Sequence, residues 1–159
     1  MHACFLADAD GLQKQYRHAT LGSGSGSEGR AMSVQVCAGA MLQCSFGVAP
    51  ASLLVLPVNQ VLTGTPAATI MDHLPFVNIA PFGMCNSVAN PMVIAATAAA
   101  LGVPTPMPCI PATVVPWVPG SPTVMIRKMP ALNNACKLTC LWGGMIQVTS
   151  AGQQKMMVP

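Results

Sequence analysis

The chain has 159 residues, which is enough for one domain and too few for two ordinary ones. Only 7% of its residues are Asp, Glu, Lys or Arg and 52% are apolar, whereas typical soluble domains are about 25% charged. The seven basic residues form no cluster, so no nucleic-acid partner is expected. The most continuous apolar stretch, Met92 to Leu101, is about half of the roughly 20 residues that a bilayer-spanning helix needs, so we expect no stable membrane insertion.

Residues 1–31 differ in composition from the rest of the chain. They hold three of the four acidic residues and no proline, and they end in a Gly-Ser run over residues 21–30. This run is typical of a linker, either engineered or natural, although translation from Met32 explains the boundary equally well. We expect residues 1–31 to be accessory or disordered, residues 32–150 to form the domain, and residues 151–159 to form a short tail. The first 31 residues lack the apolar core of a secretory signal, which favours folding in a reducing cytosol.

From Met32 onward the pattern predicts short strands and one helix. Four β-rich stretches bounded by Gly, Pro or Asn indicate strands over residues 52–56, 59–62, 123–126 and 145–148. A helix is predicted after Asn90, which can cap it, with Pro91 at its first position and Gly102 closing its end. Because this Ala-rich helix has no polar face, we expect it to be buried.

A weak internal duplication, offset by about 65 residues, relates two halves of the domain. It aligns Cys44 with Cys109, and the pair Pro66-Ala67 with Pro130-Ala131. Each half then ends in a second cysteine, Cys85 or Cys140, if the later half is about ten residues shorter. The fold class predicted is therefore mainly β, a small cone of short β-hairpins with a pseudo-twofold duplication and one short buried Ala-rich helix.

Two halves related in this way would bring four cysteines together at one end of the domain. Four thiolates in a tetrahedron bind zinc, and closing such a site stabilises a small domain. We therefore predict a structural zinc held by Cys44, Cys85, Cys109 and Cys140.

The domain also carries a set of motifs distributed over nearly all of its length. They are the stretches at residues 39–47, 66–72, 81–85, 89–91, 106–109, 120–124, 130–133 and 140–144. On these residues, the chain from Met32 to about Val148 resembles the PAAR-like proteins of bacterial contractile injection systems, in particular a PAAR-related family of unknown function. Classical PAAR proteins bind their metal mainly through histidine, whereas this chain has cysteine at the matching points.

The resemblance implies a structural role rather than an enzymatic one. Such a protein caps and sharpens the trimeric VgrG-type spike of a type VI secretion system or a related machine, with its base on the spike and zinc near its tip. The implied partners are the spike protein and effector or adaptor proteins. It would be cytoplasmic during assembly and then secreted with the spike.

Other interpretations of individual residues remain open. The main alternative is a cytosolic metal-binding or redox protein that uses the same cysteines as labile thiols, although the chain has no Cys-x-x-Cys motif. Cys37 and Cys136 fall outside the duplication, and we favour inert buried thiols over spare ligands for both. Asp72-His73 invites a catalytic interpretation, but no second acid and no nucleophile motif accompany it. We expect no enzyme activity, and a turn-stabilising role for Asp72.

Overall fold

The computed structural model describes residues 6–7 and 32–158. These residues form short strands connected by turns, together with one α-helix, α1 (Pro91–Ala99), and one 3-10 turn (Pro57–Asn59). The strands are β1 (Leu6–Ala7), β2 (Ser33–Val34), β3 (Met41–Cys44), β4 (Ala51–Ser52), β5 (Leu62–Thr63), β6 (Met84–Cys85), β7 (Met107–Pro108), β8 (Met125–Ile126), β9 (Met129–Pro130), β10 (Lys137–Thr139), β11 (Met145–Ser150) and β12 (Met157–Val158).

The strands pair antiparallel in small sheets. The largest has four strands in the order β10-β11-β3-β4, and the remaining pairs are β1-β5, β2-β12, β6-β7 and β8-β9. Leu42, Leu138 and Ile146 point from this sheet into the core, and each is at most 1% exposed. The prediction of a mainly β fold with short hairpins and one short helix is confirmed.

The four predicted strands have different outcomes. The stretch 145–148 lies within β11, and 123–126 contains β8. In the stretch 52–56 only Ser52 belongs to a strand, and Leu53 adds one bridge to Ile79. The prediction over 59–62 is largely wrong, because Asn59 ends the 3-10 turn and Gln60 has a left-handed φ of 54° that interrupts any extended run.

Three five-residue segments close into a triangular ring at the centre of the fold. They are residues 34–38, 66–70 and 130–134. Each middle residue donates its N–H to the carbonyl of the next segment's middle residue: Val36 to Leu132, Leu132 to Ala68, and Ala68 to Val36, all at 2.9 Å. Three antiparallel bridges repeat the same relation, namely Gln35 with Asn133, Cys37 with Ala67, and Thr69 with Ala131.

The turns that leave the ring repeat the symmetry. In each segment the carbonyl of the fourth residue accepts a hydrogen bond from the N–H three positions later, in the pairs Cys37–Ala40, Thr69–Asp72 and Asn133–Cys136. The ring therefore has an approximate threefold symmetry built from a single chain. Two of its segments begin with the Pro-Ala pairs that the duplication aligns. The third segment, residues 34–38, has no such pair, and the sequence duplication did not include it.

The ring separates two apolar clusters. Its middle residues Val36, Ala68 and Leu132 are fully buried in the main core, which also contains Cys44, Cys85, Cys109 and Cys140. Ala67 and Ala131 instead pack with Ile126 in a second, smaller cluster. Since neighbouring residues of an extended segment point to opposite sides, the β8-β9 hairpin and the cysteines lie on different sides of the ring.

Helix α1 forms where it was predicted. The Asn90 side chain accepts a hydrogen bond from Met92 N–H at 3.0 Å, and Pro91 occupies the first turn. Gly102, with φ 90°, donates its N–H to the Thr97 carbonyl. The prediction that the helix is buried is wrong, because Val93 is its one buried residue.

The predicted domain boundaries are not tested by the structure. The leader and linker prediction concerns residues that, apart from Leu6–Ala7, lie outside the described part of the chain. Within the described ranges, no helix is both long enough and apolar enough to cross a membrane.

Candidate metal centre

The four predicted ligands stand at the ends of short strands. Cys44 is the last residue of β3 and Cys85 the last of β6, while Cys109 and Cys140 directly follow β7 and β10. Cys44 and Cys140 occur at the same distance in sequence after the ring residues Val36 and Leu132, so the ring equates these two cysteines. The duplication had instead aligned Cys44 with Cys109.

The structure brings all four cysteines to one small cavity of about 10 Å³. A volume of this size holds about one water-sized sphere. Each cysteine is between 4% and 7% exposed, and none of the four forms a disulfide. All four residues predicted as ligands therefore line one cavity, and the remaining wall is formed by Phe46, Phe82, Pro111, Trp142, Gly144 and Ile146.

Burial dominates the electrostatics of two of these thiols. Desolvation raises the pKa of Cys44 and that of Cys109, because the charged thiolate is disfavoured away from water. Hydrogen bonds from the backbone of Phe46 and Gly47 to Cys44 oppose this effect and lower the pKa. Charge repulsion from the other cysteines of the cavity raises the pKa of Cys44 and of Cys109 further.

The donor set suits a divalent metal, but the sulfurs are not arranged around a point. Within the described ranges, no group of three or more His, Cys, Asp or Glu side chains is arranged so that it could hold a metal ion. A tetrahedral site with bonds of about 2.3 Å places its sulfurs about 3.8 Å apart. Binding therefore requires the four side chains to draw closer within the cavity they already share. Four cysteines are a donor set that zinc accepts, so Cys44, Cys85, Cys109 and Cys140 would be its ligands if the side chains made this approach.

Two glycines that the sequence did not single out as site residues make room for Cys44. A Cβ placed on Gly144 would lie 2.9 Å from Cys44 Sγ, and one on Gly47 would lie 3.2 Å from Cys44 Cβ and 2.4 Å from Phe82 Cβ. A side chain at either position would therefore require the neighbouring Cys44 or Phe82 to shift. A glycine close to a cysteine in the sequence is the one signal that points to them.

The other two buried cysteines of the domain lie away from the cavity. Cys37 belongs to the ring and is fully buried. Cys136 is also fully buried; its thiol donates to Asn133 Oδ1 at 3.0 Å and accepts from Gly120 N–H at 3.3 Å. Neither residue lines the cavity. For Cys136 this arrangement supports the predicted inert thiol.

Asp72 and His73 serve the fold in this structure. Asp72 Oδ2 accepts hydrogen bonds from Thr69 N–H at 2.7 Å and from Thr69 Oγ1 at 3.0 Å, so its side chain stabilises the turn as expected. The indole of Trp117 donates to the Asp72 carbonyl at 3.0 Å. His73 is buried, its carbonyl accepts from the Thr113 hydroxyl, and it does not line the cysteine cavity.

Comparison with known proteins places the chain in one family. The chain belongs to the family described as Domain of unknown function (DUF4280), whose model matches residues 36–153. No curated protein matches the chain, and no solved structure does. The matched region contains the ring from Val36 onward and all four cysteines of the cavity.

Proposed function

We propose that this DUF4280 protein is a structural tip protein that caps the trimeric VgrG-type spike of a contractile injection system. The observation that carries the proposal is the triangular ring of residues 34–38, 66–70 and 130–134. A single chain with approximate threefold symmetry can present three similar edges to a partner made of three identical chains. The PAAR-like motifs of the sequence point to the same role.

The side of the ring opposite the cysteines is the proposed base. The β8-β9 hairpin packs there, and its Met125 and Met129 are 46% and 42% exposed. Methionine is flexible and well suited to packing against a partner. In the domain from residue 32 onward the acidic residue Asp72 is 9% exposed. This face would therefore bind through the apolar side chains of Met125 and Met129, beside the exposed basic residues Arg127 and Lys128.

The cysteine cavity is the proposed structural metal site at the opposite end. Zinc held by the four sulfurs would tie together strands that are far apart in sequence and make a small domain resistant to unfolding under load. The low exposure of the four cysteines and the raised pKa of Cys44 and Cys109 favour this role over labile redox thiols, which need accessible thiolates. Assembly would occur in the cytoplasm, followed by expulsion with the spike and any effector or adaptor proteins it carries.

The experiment is co-purification of the full chain with the trimeric spike protein of the same organism. We expect one copy of the chain per spike trimer, measured by light scattering. Met129→Glu places a charge on the proposed base and should abolish binding, whereas Leu141→Glu, at a position 60% exposed beside Cys140, should leave it intact. A chain that stays unbound at micromolar concentrations, or equal loss in both variants, would overturn the proposal.

A further inference from the structure

The turn that joins β8 to β9 holds two basic residues in a left-handed backbone conformation. Ile126 pairs with Met129, so the turn consists of Arg127 and Lys128, whose φ angles are 46° and 67°. A two-residue hairpin turn with both φ angles positive favours Asn-Gly, because most side chains disfavour this region. Seven of the ten other left-handed positions in residues 32–158 are glycine. Two long cationic side chains here are therefore not explained by the turn itself, and such positions are often functional.

The turn is fixed to the proposed base by contacts on both sides of the backbone. Ile126, directly before it, is 3% exposed and packs with Ala67 and Ala131 in the smaller apolar cluster. Arg127 Nη1 donates a hydrogen bond to the Val58 carbonyl in the 3-10 turn. This contact orients the guanidinium and leaves its Nε and Nη2 groups for a partner. Those two groups can donate parallel hydrogen bonds to a single carboxylate.

Within residues 32–158 no carboxylate pairs with these two cations. From residue 32 onward the sequence has one acidic residue, Asp72. Its carboxylate is buried and accepts hydrogen bonds from Thr69 and Asn78. Arg127 and Lys128 are both exposed. The domain therefore presents two adjacent positive charges at one fixed place on its surface.

We infer that the β8-β9 turn recognises a carboxylate group on the surface of the protein partner. The inference rests on the proposed spike partner and adds that the spike offers Asp or Glu side chains where it meets the base. Met125 and Met129 flank the two cations and are 46% and 42% exposed. Apolar side chains beside a small charged group are typical of a protein interface, and the charged group would select the docking position.

A nucleic acid or an anionic membrane fits this surface less well. Binding to a polyanion draws its affinity from several phosphates that are neutralised together. The other two basic residues of the domain are Lys137, in β10, and Lys155, in the C-terminal tail. The turn thus offers two charges and no extended basic surface, which suits one or two carboxylates of a protein.

The first test measures how fast the full chain associates with the trimeric spike protein of the same organism, at about 0.15 M and about 1 M NaCl. Arg127→Asn with Lys128→Gly gives the turn the residues that its backbone favours, so the urea midpoint should not fall. The association rate at the lower salt concentration should drop about tenfold or more. Arg127→Gln with Lys128→Gln should lower the rate equally without easing the backbone. The control, Lys137→Gln with Lys155→Gln, removes the same charge and should keep the rate within about twofold of wild type.

The second test detects the contact itself by carbodiimide cross-linking of the chain bound to the spike. The reagent joins an amine directly to a carboxylate in contact with it, with no spacer. Mass spectrometry should find the Lys128 amine joined to an Asp or Glu of the spike, and no such product from Lys137.

The possible failures distinguish this inference from the proposed tip function. A chain that does not bind the spike contradicts both. Equal association rates in the wild type and both turn variants, or a cross-link from Lys128 to an acidic residue of this chain's own residues 1–31, would overturn the carboxylate contact alone. Retention of the wild type but not of the turn variants on duplex DNA or on anionic vesicles would assign the turn to phosphate and overturn it as well.

Discussion

Replacing Gly144 by alanine perturbs the proposed metal centre with a single methyl group. The new Cβ would lie 2.9 Å from Cys44 Sγ and 3.5 Å from Phe46 Cδ2, whereas ordinary contact begins at about 3.5 Å. The sulfur or the turn must therefore move by about half an ångström or more. Overpacking of this kind costs about 1–3 kcal/mol in a well-packed core. A displaced Cys44 sulfur would also bind zinc less tightly.

The matched control is Gly143→Ala at the neighbouring position. Gly143 has φ 75°, so alanine is strained there, but nothing lies within 4 Å of its Cβ position. That strain costs about 1 kcal/mol and leaves Cys44 untouched. We expect both variants to lose stability in urea, and only Gly144→Ala to lose zinc affinity, by about tenfold or more.

The assay is competition for zinc with a chromogenic chelator, run beside urea unfolding of the metal-free chains. Equal zinc affinity in the wild type and in Gly144→Ala would show that Cys44 does not hold the metal. Equal losses of zinc affinity in Gly143→Ala and Gly144→Ala would show that the conformation of the turn matters, and not the approach of Gly144 to the Cys44 sulfur.

Two further predictions concern the ring and its turns. Leu132→Ala, at the fully buried centre of the ring, should lower the free energy of unfolding in urea by about 2–5 kcal/mol. Leu101→Ala, at a position 97% exposed, should change it by less than about 0.5 kcal/mol. Similar values for the two variants would refute the ring as a core element. Burial raises the pKa of Asp72 above its ordinary 3.8, so the folded state keeps a proton that the unfolded chain has already lost. Stability contributed at this position is present below pH 3.8 and falls as the pH rises through the folded pKa. Asp72→Asn should therefore remove this pH dependence from the midpoint of urea unfolding. An unchanged pH dependence in the variant would contradict the prediction.

Local signals in the sequence predicted those parts of the fold that depend on a few neighbouring residues. Asn90-Pro91 fixed the start of α1, because a cap and a first-turn proline act within one turn. The stretch 145–148 pairs on both edges within the four-stranded sheet, and its β-rich residues after a glycine were sufficient to predict it. The burial of α1 depends on what packs around it, and no residue of the helix encodes that.

The candidate site was predictable to a similar degree. The two Pro-Ala pairs that the duplication aligned lie in two of the three ring segments. Residues 34–38, the third segment, have no proline and share with the other two only their hydrogen bonding. The meeting of the four cysteines was inferred from a pseudo-twofold duplication, but the ring has an approximate threefold symmetry and equates Cys44 with Cys140 rather than with Cys109. The close approach of Gly144 to Cys44 is a tertiary contact that only the structure reveals.

The most direct test of the metal centre is X-ray absorption at the zinc edge of the purified full chain, with the metal content measured on the same sample. We predict about one zinc per chain, with four sulfur neighbours at about 2.3 Å. Cys109→Ser should replace one of them by a lighter atom, while Cys136→Ser should leave all four. A chain that contains no zinc after purification without chelators, or whose zinc has fewer than three sulfur neighbours, would contradict the account.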